Sequence, residues 1–202
     1  MKKICLILMC MLFAVSLFAI DITVGGAAGV NTSFMTGSDW DDLVGTLDNS
    51  IIRVGFEAGA FGNIAINKFF AIQPELNFLF ARYGFGKDRE KYTETVKMFE
   101  IPVLAKFSYK EFFAFIGPAL QIILGDVNHK TIVGDNELSS GSYEVDNNIV
   151  FSGVFGIGRI VPVGNGFFSV DIRYRRQFTE MFEDLNAKLN NITFRVGYGY
   201  GL

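Results

Sequence analysis

The sequence predicts an all-β fold, an eight-stranded antiparallel up-and-down transmembrane β-barrel, and three observations carry the prediction. Apolar and polar residues alternate with a period of two in eight separate stretches, the mark of strands with one apolar face. The connections between them alternate long and short, as in barrels with one rim of extended loops and one of tight turns. The polar faces carry arginine, carboxylates and glycine with almost no lysine, which suits a packed interior better than a wetted surface.

The clearest stretch is the last, Asn191 to Leu202. Ile192, Phe194, Val196, Tyr198, Tyr200 and Leu202 fall on one face, and Thr193, Arg195, Gly197, Gly199 and Gly201 on the other. A terminal strand of this kind can close a barrel and leave no unpaired edge in lipid. At the other end, Ile22, Val24, Ala28 and Val30 alternate with Thr23, Gly25, Ala27, Gly29 and Asn31. A polar segment from Phe34 to Ser50, rich in aspartate, is expected to follow as a loop. The second strand sets Ile52, Val54, Phe56, Ala58 and Ala60 against Arg53, Gly55, Glu57 and Gly59, and leaves through the short connection Gly62 to Asn67.

In the third strand Phe70, Ile72, Pro74, Leu76, Phe78 and Phe80 oppose Ala71, Gln73, Glu75, Asn77, Leu79 and Ala81. A charged loop from Gly84 to Thr95 leads to the fourth, where Phe99, Ile101, Val103, Ala105 and Phe107 oppose Met98, Glu100, Pro102, Leu104, Lys106 and Ser108. After the tight turn Tyr109-Lys110-Glu111, the fifth strand is apolar on both faces, with Phe112, Ala114, Ile116, Pro118, Leu120 and Ile122 outward and Gln121 inward. The longest connection, Gly125 to Asn147, has turn chemistry at Gly134-Asp135-Asn136 and at Ser139 to Ser142. The sixth strand, Ile149 to Ile160, marks its outer face with Phe151, Phe155 and Ile157. A turn from Val161 to Gly166 precedes the seventh, where Phe168, Val170, Ile172 and Tyr174 oppose Ser169, Asp171, Arg173 and Arg175, and a last loop, Gln177 to Asn190, returns to the eighth. Pro74, Pro102 and Pro118 lie mid-strand and cannot donate to a ladder, so local bulges or widened pairing are expected there.

Alternation alone does not decide which face looks outward. A soluble barrel of the lipocalin kind would turn its apolar face inward around a ligand, as a periplasmic binding protein; a membrane barrel inverts this. The polar faces favour the membrane form, because Arg53, Glu57, Glu75, Glu100, Lys106, Asp171, Arg173, Arg175 and Arg195 are spaced by small residues. Such a set reads as a barrel-interior network of paired charges. The apolar faces, with their many aromatics, then supply the contact with outer-membrane lipid and the interfacial girdles.

Residues 1–19 read as a cleaved signal peptide, with Lys2 and Lys3, a short apolar run from Ile4 to Phe13, and small residues before cleavage after Ala19 or Ser16. Residues 20–202 are then the barrel domain. Cys5 and Cys10 leave with the leader, which excludes disulfides and thiolate chemistry from the mature chain. Of 18 basic residues, loss of Lys2 and Lys3 leaves 16 against 21 acidic ones, an acidic balance that argues against nucleic acid as a partner. The short connections fix both termini on the periplasmic side. The long ones face outward and are acidic, with Asp39, Asp41, Asp42 and Asp48 in the first and Asp126, Asp135, Glu137, Glu144 and Asp146 against Lys130 in the third.

The order of Ile72-Gln73-Pro74-Glu75-Leu76-Asn77-Phe78, Phe99 to Lys106, Phe115-Ile116-Gly117-Pro118 and Asp171-Ile172-Arg173-Tyr174 resembles the PorT-type outer-membrane β-barrel domain family of diderm bacteria. The resemblance implies an eight-stranded OmpA-like barrel, in a family mostly of unknown function with one branch tied to protein secretion. It supplies no catalytic residues.

No catalytic constellation is present in the sequence. His129 is the single histidine; Asp126 and Ser139 are near it, but no further element of a triad is, and one histidine makes no zinc site. Glu75 and Glu100 could form an acid–base pair, yet interior carboxylates facing several arginines read as structural ion pairs. No cofactor or metal is expected. Two functional classes remain: a non-enzymatic barrel with a structural role or an extracellular protein partner held by its loops, and a transport protein, either a narrow channel or a component of a secretion apparatus.

Overall fold

A computed structural model of the protein describes residues 21–37, 49–50, 52–87, 90–133, 136–181 and 188–201. The expected leader, most of the first acidic segment and the Gly134-Asp135 turn lie outside the described residues. The strands are β1 (Ile22–Thr36), β2 (Asn49–Ser50), β3 (Val54–Ala65), β4 (Phe70–Lys87), β5 (Glu90–Tyr109), β6 (Phe112–Ile123), β7 (Val127–Val133), β8 (Asn136–Tyr143), β9 (Ile149–Val163), β10 (Gly166–Gln177) and β11 (Lys188–Gly201). Eight of them form a closed antiparallel ring in the order β4-β3-β1-β11-β10-β9-β6-β5, with β5 returning to β4. The first and last strands seal it, from Thr23 opposite Gly201 to Thr36 opposite Lys188.

Alternation sets the two faces as the sequence leads one to expect. Along β10, Phe168, Val170 and Ile172 are exposed, while Ser169, Asp171, Arg173 and Arg175 are buried. On β5 the outward residues Phe99, Ile101, Val103, Ala105 and Phe107 carry no charge between Lys97 and Tyr109. The nine residues from Phe99 to Phe107 span about 30 Å of strand, which at a tilt of about 40° gives a band about 23 Å high, the height of a lipid-facing belt.

Three expectations about connections need correction. The charged loop from Gly84 to Thr95 is a hairpin, because β4 runs on to Lys87 and β5 starts at Glu90, with Arg82 opposite Thr95 and Gly86 opposite Lys91. The long connection after β6 folds as a second hairpin, β7–β8, whose first strand pairs with the projecting end of β5. Ser139 to Ser142 is therefore strand and not turn; the irregularity falls between Thr131 and Ile132. The polar segment after the first strand also begins later, since Phe34 to Thr36 still pair with β11. Across the ring, the short turn after β9 is the pair Gly164 and Asn165, with Gly164 at a φ of 59° that glycine takes without strain.

The prolines act as widened pairing. The β3–β4 register breaks off between Phe61–Glu75 and Ile64–Ile72, beside Pro74. The β4–β5 register is interrupted between Pro74–Val103 and Asn77–Glu100, where Pro102 falls, and the β5–β6 register between Pro102–Ala119 and Ala105–Ile116, where Pro118 falls. Each ladder resumes in the same register, so no residue is inserted and no bulge forms.

Inside, the end bearing the short turns is floored by rings lying on glycines. Phe61 is opposite Gly25, Phe167 opposite Gly199, Phe113 opposite Gly158 and Phe115 opposite Gly156. A Cβ on any of these glycines would fall within 2.6 Å of the facing ring. This explains why the fifth expected strand, β6, is apolar on both faces: its inward phenylalanines need the space that β9 leaves. At the loop end, Met35, Leu79, Val96, Met98, Val127, Val150 and Met181 form an apolar cap, with Tyr143 and Val145 packed on it.

Gly199→Val is expected to lower the unfolding midpoint by the equivalent of about 1–3 kcal/mol, the usual cost of overpacking. In a Phe167→Ala background that penalty should shrink, because the three atoms nearest the added Cβ all belong to the Phe167 ring; equal penalties in both backgrounds would reject the ring-on-glycine account.

Candidate functional site

Between the apolar cap and the aromatic floor lies a belt of charge. Among the described residues the buried charged side chains are Glu57, Glu75, Glu100 and Asp171 with Lys106, Arg173, Arg175 and Arg195, four of each sign. They come from β3, β4, β5, β10 and β11, and the inward parity of each strand delivers them to the interior.

Glu75 is the hub. Its carboxylate accepts from Arg173 Nη1 and Arg195 Nη1 at 2.9 Å, from Arg195 Nη2 at 3.0 Å, and from the amides of Gln73 and Asn77 at 2.7 and 2.9 Å. Asp171 accepts from Nε of the same two arginines at 2.9 and 3.2 Å. A second centre joins Arg175 to Glu100 through Nε at 2.9 Å, while its Nη1 donates to Asn191 and Thr193. Arg175 Nη2 also stands 2.7 Å from Glu57 Oε2, an ion pair out of line for a hydrogen bond. Gln121 extends this centre, donating to Glu100 at 2.9 Å and accepting from Gln177.

The belt rests on the floor beneath it. The Arg173 guanidinium lies 4.8 Å from the centroid of the Phe115 ring, and Lys106 Nζ lies 4.4 Å from that of Phe113 while donating to Gln73 at 3.0 Å. Buried cations held over aromatic faces gain from the ring quadrupole where water is excluded. Carboxylates so fully engaged by arginines are ion-pair partners, an arrangement that leaves Glu75 and Glu100 with no free acid–base pairing between them.

Of the nine charged residues that the sequence brings forward, eight meet in this belt. Arg53 does not: it precedes β3, half-buried at the loop end, where its guanidinium lies near Arg82. Partial burial and the Arg82 charge hold its proton affinity below the usual arginine range. His129 sits on β7, its ring stacked on Tyr143 with centroids 5.9 Å apart. Asp126 accepts from Ser142 at 3.1 Å, and Ser139 is opposite Thr131 in the ladder, so no nucleophile–histidine pair forms. Among the described residues no three His, Cys, Asp or Glu side chains are grouped to hold a metal.

Periodicity did not reveal the cap's polar fastening. Tyr83 and Tyr143 both donate to Glu94 Oε2, at 2.5 and 2.6 Å, tying the β7–β8 hairpin to the β4–β5 hairpin. Burial, reinforced by the neighbouring carboxylate, pushes both phenols above their usual range. The alternation of Val127, His129 and Thr131 was the available signal, hidden in a segment whose polarity suggests a solvated loop.

A family model described as outer membrane protein beta-barrel domain matches residues 16–183. Among solved structures, the chain is similar to Ail, the attachment invasion locus protein of Yersinia pestis, solved in complex with the heparin analogue sucrose octasulfate. The two are 13% identical over 89% of this chain and 99% of that one, with a TM-score of 0.49. Neisserial surface protein A is 13% identical over 89% and 96% of the two chains, with a TM-score of 0.42. OprG from Pseudomonas aeruginosa is 12% identical over 91% and 95%, with a TM-score of 0.41. None of the curated proteins compared matches the chain.

Removing one partner of the belt strands the others in a water-poor interior. Arg173→Ala and Glu100→Ala are each expected to destabilise the folded barrel by about 3–5 kcal/mol, read as the urea midpoint in detergent micelles. Unchanged midpoints for both would show that the belt does not hold the barrel together.

Proposed function

We propose that this chain, which belongs to the outer membrane protein beta-barrel domain family, is a closed, non-enzymatic outer-membrane barrel with a structural or surface-interaction role. The observation that carries the reading is the filled interior: apolar cap, charged belt and aromatic floor follow one another along the axis. A barrel of eight strands has only enough width for side chains, and here the side chains are fixed to one another by charge-assisted bonds. What is left to vary is the loop end, where the β4–β5 and β7–β8 hairpins stand beyond the ring.

In this reading residues 1–19 are removed on export and both termini face the periplasm, beside the two-residue turns. The projecting hairpins then face outward and provide the surface for an extracellular protein partner. The PorT-type order of motifs favours, as a second reading, a partner belonging to a secretion apparatus, engaged through the same hairpins.

Two measurements test this. Planar bilayers containing the protein should show no conductance steps, whereas steps that vanish on Phe113→Trp would establish a channel. In intact cells a membrane-impermeant maleimide should label Ser140→Cys at once and Asn165→Cys only after the cells are opened; the reverse pattern would invert the orientation.

A further inference from the structure

Beyond the ring, alternation continues into the sheet formed by the two projecting hairpins. Arg82 stands two residues past Phe80 on the outward face of β4 and is opposite Thr95, which is opposite Asn128 of β7. Thr93 is opposite Lys130, and Lys130 opposite Ser140 of β8. Residues directly opposite share a face, so this polar row lies on the side that faces lipid further down. Arg53 lies across the same face, its Nε 3.2 Å from where a Cβ on Gly84 would be.

These residues, with His129, line a cavity of about 600 Å³. Arg53 Nε and Arg82 Nε are both buried there, and neither makes a hydrogen bond to a described residue; the His129 ring lies on the other face of β7, with Gly141 and Tyr143. In the belt, by contrast, Nε of Arg173, Arg175 and Arg195 each meets a carboxylate. Among the described residues no carboxylate lines the cavity; Asp126 meets its wall by accepting from Ser142. Two adjacent guanidinium groups, partly desolvated and without a counter-charge among the described residues, beside hydroxyl donors, complement a doubly charged tetrahedral oxyanion. Their height, one step past the last outward phenylalanine of β4, is that of headgroups rather than of bulk solvent.

We propose that Arg53 and Arg82 form a site for the phosphate monoester of a lipid headgroup in the leaflet at the loop end. The inference concerns the protein's own annular lipid and is independent of the barrel's orientation, since it can be tested in symmetric vesicles. The barrel domain, folded into phosphatidylcholine vesicles, is probed with spin-labelled phosphatidic acid, phosphatidylglycerol or phosphatidylcholine, and the motionally restricted fraction of each is measured. Phosphatidic acid should be preferred over phosphatidylcholine by roughly tenfold, from two basic groups at the surface, and also over phosphatidylglycerol. The preference should fall to background in Arg53→Gln/Arg82→Gln and persist in Lys68→Gln/Lys110→Gln, which removes two cations at the opposite rim.

Wild-type protein that restricts all three lipids alike overturns the proposal without recourse to a variant. A preference that survives the double substitution overturns the assignment to these residues. Inorganic phosphate that shifts the Arg82 Nε–H resonance in vesicles showing no lipid preference would assign the cavity to a soluble anion and overturn the lipid source.

Discussion

The structure depends on a single constraint, that eight charged side chains occupy a space too narrow for the water that would otherwise solvate them. A lone buried ion costs several kcal/mol, and a pair recovers this only when its remaining donors and acceptors are also met. Glu75 satisfies that requirement with donors from β4, β10 and β11, on opposite sides of the ring. The ion pairs therefore link strands that share no backbone ladder. Backbone bonds close the wall, and the belt fixes the cross-section.

The layers above and below make the belt possible. The floor supplies aromatic faces for Arg173 and Lys106, and it fits because small residues on neighbouring strands make way for the rings. The cap closes the opposite end with apolar side chains from six strands of the ring, from Met181 and from the β7–β8 hairpin. Outside, exposed phenylalanine, isoleucine and valine meet a medium that demands nothing of them beyond being apolar. Within the ring, specificity is thus concentrated on the inside, and the apolar outer wall is chemically permissive.

Much of the wall was legible because a closed membrane strand has only two environments, so a period of two reports both at once. Phe168, Val170 and Ile172 against Ser169, Asp171 and Arg173 could be read directly. Arg53 shows the limit: its parity matches the inner face of Glu57, but the chain leaves the ladder before Val54, and parity means nothing without pairing. The β7–β8 hairpin was missed for another reason. Its serines and charges satisfy an outward face, while Val127 and Tyr143 reach into the cap, and short polar strands resemble loops in composition. The pairing of inward phenylalanines with glycines was equally hidden, because which glycine faces which ring depends on register, a property of two strands and not of one.

The prolines give the cylinder a direction. Interruptions fall between β3 and β4, β4 and β5, and β5 and β6, whereas the closing pair β1–β11 runs through fourteen register positions without a break. Pairing therefore varies round the circumference, unbroken from β3 through the seam and on to β6 and interrupted on the far wall. Lateral pressure from the bilayer will flatten such a tube along a fixed axis, with the interrupted wall yielding and the seam keeping its shape.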